Sequence, residues 1–214
     1  MIDLEKIAEF AKKIHMENND GHGFDHIERV VALANKILLT EPSANRELVL
    51  AACYLHDTYD EKLTDRVEQQ KIFVSKFLNT VSTDSIINKQ IFFIIDNMSF
   101  SSNIESRKAL DINGQIVQDA DRLDAMGAWG IARTLEYGWA RGRALYDPSD
   151  KPVSVLTKAD YHQKEGTTLN HFYEKLFLLE DLLNTDEAKN IGKKRNQIMH
   201  DFVKSIEQEY NESH

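Results

Sequence analysis

Apolar residues recur along most of this chain at intervals of three and four, the spacing that keeps them on one face of an α-helix. Leu4, Ile7, Ala8, Ala11 and Ile14 form the first such stripe, which stops in the turn-forming stretch NNDGHGFD. Val30, Val31, Ala34, Ile37 and Leu38 predict a second helix, with Asp25 as its N-cap and an end before Pro42. A third is predicted from about Ser43 to Asp57, with Leu48, Ala51, Ala52 and Leu55 on its core face, and a fourth from Thr64 to Leu78. Ser82 or Thr83 would cap a fifth, carrying Ile87, Ile91, Ile94 and Ile95. Its β-branched run also suits a strand, but its length, its cap and its helical neighbours favour a helix. A sixth helical region covers QIVQDADRLDAMGAWGIARTLEYGWARGR, where Gly127 and Gly130 cost helix propensity and point to a closely approaching helix or ligand. RALYDPSDKPVS reads as a long surface loop. Two closing helices follow, one marked by Leu169, Phe172, Leu176 and Leu179, the other by Ala188, Ile191, Ile198, Phe202 and Ile206. The pattern predicts an all-α fold, a single-domain helical bundle without strands.

Composition narrows the function classes. The chain has 214 residues, suited to one domain, and 42% of them are hydrophobic, enough for a sizeable core. The net charge of −9 argues against a nucleic-acid polymer as partner, because phosphate backbones reward a basic surface. A small phosphate ligand held by a few local cations stays open. Cys53 is the sole cysteine, which rules out an internal disulfide, and its apolar setting suggests packing. The opening MIDLEKIAEFAKK lacks a signal peptide's apolar core, and no apolar run approaches the ~20 residues that span a bilayer. A cytoplasmic protein with no membrane partner is expected.

The polar residues that break this pattern carry the chemistry. His56 and Asp57 come off the end of the apolar run LVLAACYL, where unpaired polar groups are costly. His26 falls at the start of another helix and Asp121 lies inside QDADRLDA, with Asp119 and Asp124 as alternative acids. Imidazole and carboxylate together suit a divalent ion, and helix ends aim such ligands from rigid elements. Each residue alone is also compatible with a capped helix end or a solvated acid.

The order His26, then His56-Asp57, then Asp121 resembles the HD-domain superfamily of metal-dependent phosphohydrolases. GHGFDHIERVVALA, AACYLHDTYDEK and IVQDADRLDAMGAWGIAR supply the flanks, and the likeness, strongest to the small bacterial YpgQ/YedJ-like branch, runs over roughly residues 20 to 200. It implies one HD-type domain over residues 1–214, with a core at about 20–125 and C-terminal helices, about 126–210, packed on it. It also implies His26, His56, Asp57 and Asp121 as metal ligands. Relatives with two metals recruit further histidines between the pair and the last aspartate. This chain has none from 58 to 120, so one ion is expected. Hard and borderline divalent ions suit such mixed ligands, and Mn²⁺ is the one expected; Mg²⁺, Fe²⁺, Ni²⁺ and Co²⁺ are also compatible, and the ligands do not choose among them. Where relatives of this branch often place an aspartate after the histidine matching His22, this chain has Gly23.

The resemblance implies hydrolysis of a phosphate ester or anhydride by activated water, with Asp60 first and Glu61 second as proton acceptors. Cations must face the phosphate. The candidates are Arg29, Lys62, Arg122, Arg133, Arg141, His171 and Lys175, with Arg143 beside them, and His22 as a further substrate contact. Lys62 and Arg122 rank highest, being adjacent to the acidic loop and to a ligand, while Ser99 and Ser101 are weaker phosphate contacts. The substrate expected from the resemblance is a small nucleotide, such as a nucleoside triphosphate cleaved to monophosphate and pyrophosphate. Phosphatase action on nucleoside monophosphates and a non-catalytic, metal-dependent nucleotide-binding module are the alternatives; an alarmone hydrolase lacks its longer flanking pattern. Apolar positions on the last helices would permit a homodimer.

Overall fold

The computed structural model describes residues 2–16, 23–60, 64–100, 103, 108–153 and 166–213. The all-α expectation holds: the described residues form helices, and the sole extended pairing among them is an isolated bridge between Ile2 and Ser82. Backbone packing divides the chain into two compact units, Met1–Ala120 and Asp121–His214.

In the first unit the helices are α1 (Leu4–His15), α2 (Phe24–Leu38), α3 (Arg46–Leu55), α4 (Val67–Val81) and α5 (Ser85–Met98). Helix α6 (Ile112–Asp124) begins in this unit. Helix α3 is the centre, packed on α1, α2 and α5. Leu48 to Cys53 and Leu55 are all buried, so α3 is apolar nearly all round, as a helix enclosed by others must be. Asn45 caps it by accepting from the Leu48 amide at 3.1 Å, which starts it three residues later than its apolar pattern suggests.

Other boundaries move for equally local reasons. Gly23, not Asp25, is the N-cap of α2; Asp25 sits inside the first turn and pairs with Arg29 at 2.6 Å. Asp84, rather than Ser82 or Thr83, caps α5 through the amides of Ile86 and Ile87. The IFFII run is helical, as length and cap favoured.

The expected sixth helix is two. Helix α6 ends at Asp124, and α7 (Gly127–Ala140) starts afresh after Met126. Gly127 has φ +73, a conformation that strains any side chain. A Cβ at Gly130 would stand 2.2 Å from the Ala125 carbonyl oxygen. At Gly130 the close neighbour is thus the chain's own backbone, while a Cβ at Gly127 would stand 3.0 Å from the side chain of Arg195, in the helix Asp186–Glu212, the closely approaching helix expected there. The first closing helix is also broken: α8 (Asn170–Glu174) gives way at Lys175 to a 3₁₀ helix, Leu176–Leu182. Lys175 is the C-cap of α8, its amide bonded to the His171 carbonyl at 3.1 Å. Helix α9 (Asp186–Glu212) packs on α7 and on the 3₁₀ helix. No described helix is long and apolar enough to cross a membrane.

Candidate metal centre

The site is built where the buried central helix stops. His56 is the C-cap of α3 and keeps helical backbone angles, so the chain turns back tightly instead of leaving for solvent. Thr58 donates to the Leu55 carbonyl through its amide at 3.0 Å and its hydroxyl at 2.7 Å, and the Asp60 amide donates to Asp57 O at 3.2 Å. These bonds occupy carbonyls that the helix end would leave unpaired, and they fix the turn from 56 to 60. His56 and Asp57 are held inside it at 6% and 7% exposure. From α2, His26 arrives in the first turn, its amide bonded to Gly23 O at 3.0 Å and its ring buried.

The three side chains converge. Their potential ligand atoms lie within 4.8 Å of one another. His26 Nε2 stands 3.2 Å from His56 Nε2 and 3.5 Å from Asp57 Oδ2, while Asp57 Oδ1 is 3.4 Å from His56 Nε2. Bonds of about 2.1 Å to a common ion would separate two ligand atoms by about 3.0 Å at a right angle and about 3.4 Å at the tetrahedral angle. The observed spacings match that range, so the residues fit a divalent cation.

The tautomer is fixed as well. His56 Nδ1 is 2.8 Å from the carbonyl oxygen of Cys53, one turn back on α3. A carbonyl only accepts, so Nδ1 carries the proton and Nε2 presents its lone pair to the cluster. This is the outer hydrogen bond characteristic of metal-ligating histidines. The residue types His56 and Cys53 gave no hint of it, because the acceptor is backbone.

Around the turn, Tyr59 is buried and its hydroxyl donates to Asp96 at 3.1 Å. Burial first, and then the Asp96 carboxylate, raise the phenol's pKa far above its usual value, so it stays protonated. Lys71 closes on Asp96 at 2.6 Å. Asp60 is half-buried at the end of the turn. Glu61, Lys62, His22 and Ser101 lie outside the described residues.

The candidate cations have acquired partners of their own. Burial is the largest single influence on Asp25 and opposes its ionisation, but the hydrogen bond and charge of Arg29, joined by the His26 amide and ring, together hold the carboxyl below its usual pKa. In the second unit Arg122 is 4% exposed and donates to the Leu182 carbonyl. Arg133 pairs with buried Asp124 at 2.7 Å, and the Arg141 guanidinium lies 3.5 Å over the Tyr137 ring, with Arg143 at 5.6 Å from the same ring. Asp121, half-buried near the end of α6, belongs to the second unit and stays an expected fourth ligand.

With this geometry in place, known proteins can be compared. Residues 23–126 match the HD-domain family model, a span that begins at the cap of α2 and ends at the break after α6. YpgQ of Bacillus subtilis is 32% identical over 206 residues, covering 96% of this chain and 92% of its own. The chain belongs to the HD-domain family. A solved Lactobacillus plantarum structure superposes with TM-score 0.90 at 40% identity, covering 99% of both chains. YpgQ crystallised in complex with ADP gives 0.76 at 30%, covering 97% of both. An HD-superfamily hydrolase from Bacillus thuringiensis gives 0.73 at 37%, covering 97% of this chain and 96% of its own. The protein is thus an HD-type, metal-dependent phosphohydrolase, and its His26, His56 and Asp57 are grouped so that they could hold a metal ion.

Proposed function

We propose that this HD-domain hydrolase cleaves nucleoside triphosphates to monophosphates and pyrophosphate, using one Mn²⁺ held by His26, His56, Asp57 and Asp121. The observation that carries the metal side of this reading is the convergence on His56, whose Nδ1 is bonded to the Cys53 carbonyl, of His26 Nε2 at 3.2 Å and Asp57 Oδ1 at 3.4 Å. The nucleotide side is supported by the ADP bound to YpgQ, a relative that matches over nearly the whole chain. When bound, a divalent ion supplies Lewis acidity that eases deprotonation of water near neutral pH and offsets phosphoryl charge.

The chain's own residues do the rest. Asp60 stands at the end of the turn that carries Asp57, its amide bonded to the Asp57 carbonyl. It takes the proton of the attacking water, with Glu61 next in sequence as the alternative acceptor. The water oxygen bonds to the α-phosphorus, the bond to the bridging oxygen breaks, and pyrophosphate leaves. Arg29, Lys62, Arg141, His171 and Lys175, together with His22, are the candidates to hold the phosphates. Arg122, itself buried on the Leu182 carbonyl, and Arg133, paired with buried Asp124, rank below them.

A panel of nucleoside mono-, di- and triphosphates with added Mn²⁺ and product identification tests this. Pyrophosphate from triphosphates is the expected product. Inorganic phosphate from monophosphates would replace the reading with a nucleotidase, and tight binding without turnover would make the protein a regulatory module. In the same assay Asp60→Ala should keep Mn²⁺ affinity while turnover falls about 10²- to 10⁴-fold, the usual worth of a positioned base.

A further inference from the structure

The turn after α3 is also held from outside, by a contact that ligand binding and proton transfer leave unexplained. Tyr59 lies two residues after Asp57 and one before Asp60, and is only 6% exposed. Its hydroxyl donates to Asp96 Oδ1 on α5 at 3.1 Å. Lys71, from α4, donates to both oxygens of the same carboxylate, at 2.8 and 2.6 Å. The ammonium also stands 5.6 Å from the Tyr59 ring centroid. Three elements therefore meet at one side chain.

Packing alone does not require this arrangement. Phenylalanine would fill nearly the same space with no polar atom to satisfy, whereas a buried hydroxyl must be bonded or it destabilises. What the hydroxyl adds is direction. A bond to a carboxylate is stronger and more orienting than one to a neutral acceptor, and Lys71 holds that carboxylate in place by donating to both of its oxygens. Asp57 and Asp60 share the turn and are joined by a backbone bond of 3.2 Å. A rotation of the turn at Tyr59 would re-aim both.

We propose that Tyr59 is a positioning residue for the metal centre: by bonding to the Lys71-clamped Asp96, it fixes the turn that aims Asp57 at the ion and Asp60 at the substrate. The inference rests on the metal reading above. Its test is calorimetric titration with Mn²⁺ of the full-length wild type, Tyr59→Phe, Asp96→Ala, the double variant and Asp96→Asn, with thermal melts alongside. Tyr59→Phe and Asp96→Ala should each weaken Mn²⁺ binding about tenfold, a typical loss for an outer partner of a metal ligand. The double variant should be no weaker than either single one, because both remove the same bond. Asp96→Asn, which retains a carbonyl acceptor, should recover most of the affinity. Mn²⁺ affinity within about twofold of wild type in Tyr59→Phe, or losses that multiply in the double variant, would overturn the proposal. If Tyr59→Phe does not fold, Asp96→Ala decides alone, since that carboxylate is 36% exposed and tolerates truncation. A wild type that binds no Mn²⁺ removes the metal reading itself; a binding wild type with unaffected variants removes only the role of Tyr59.

Discussion

The turn after α3 and the end of α6 both bury charged or titratable side chains, but they balance them differently. At the end of α6, donors meet acceptors: Arg133 reaches Asp124, Arg122 reaches the Leu182 carbonyl, and Arg195 from α9 reaches the Leu123 carbonyl. At the turn, side chains of the types that ligate a metal face one another. His56 Nε2 is 3.2 Å from His26 Nε2 and 3.4 Å from Asp57 Oδ1, and Asp57 Oδ2 is 3.5 Å from His26 Nε2. Two buried imidazoles around a buried carboxylate suit a shared positive charge. The first cluster supplies its own cations from arginine. The second is suited to a cation from solution.

Replacing Asp57 tests that difference most severely. Asp57→Ala removes one of the two anions in the proposed ligand set and leaves the two imidazoles with Asp121 alone to offset a divalent charge. Calorimetry should show Mn²⁺ binding lost and turnover at background, while circular dichroism retains the helical signal, since α3 is held by its own apolar contacts with α1, α2 and α5. Undiminished activity without bound metal would show that the cluster is merely structural.

Arg122→Met should have the opposite signature. It removes a buried guanidinium that donates to the half-buried Leu182 carbonyl, and an acceptor left unpaired there costs about 1 kcal/mol. Chemical denaturation should show that loss, with Mn²⁺ affinity and KM for the triphosphate unchanged. A raised KM at unchanged stability would instead return Arg122 to the phosphate, and the closed cluster would prove to be part of the substrate site.

This contrast explains what could be read from the sequence. The metal cluster was legible because its residue types are confined to few roles: two histidines and an aspartate against an apolar run need partners. Arginine is not so confined. It serves a carbonyl, a carboxylate, an aromatic face or a phosphate equally well, and only coordinates separate Arg122 on Leu182 from Arg141 on Tyr137. Helix faces were legible from apolar spacing, while breaks were less so. Leu176 and Leu179 are three apart, a spacing that satisfies a 3₁₀ helix with three residues per turn as well as an α-helix. Gly127 and Gly130 did signal a close approach, but not that the chain breaks its own helix there. The Cys53 carbonyl and the Tyr59–Asp96–Lys71 contact stayed hidden because one is backbone and the other joins residues up to 37 apart.

Arg29 tests the comparison most finely, because it is an arginine on the helix that carries His26. It lies one turn along α2 and bonds to Asp25, whose side chain is 68% exposed. The Arg29 side chain is 20% exposed, but its partner is open to water and such a pair contributes little, so Arg29→Ala should change stability by less than about 1 kcal/mol. Unlike Arg122, Arg29 can exchange its partner for a phosphate without opening a buried bond. Steady-state kinetics should therefore show KM for the triphosphate raised several-fold with kcat nearly unchanged, the mark of binding shared by ground and transition states. An unchanged KM would assign Arg29 to Asp25 alone and leave the phosphates to cations elsewhere in the chain.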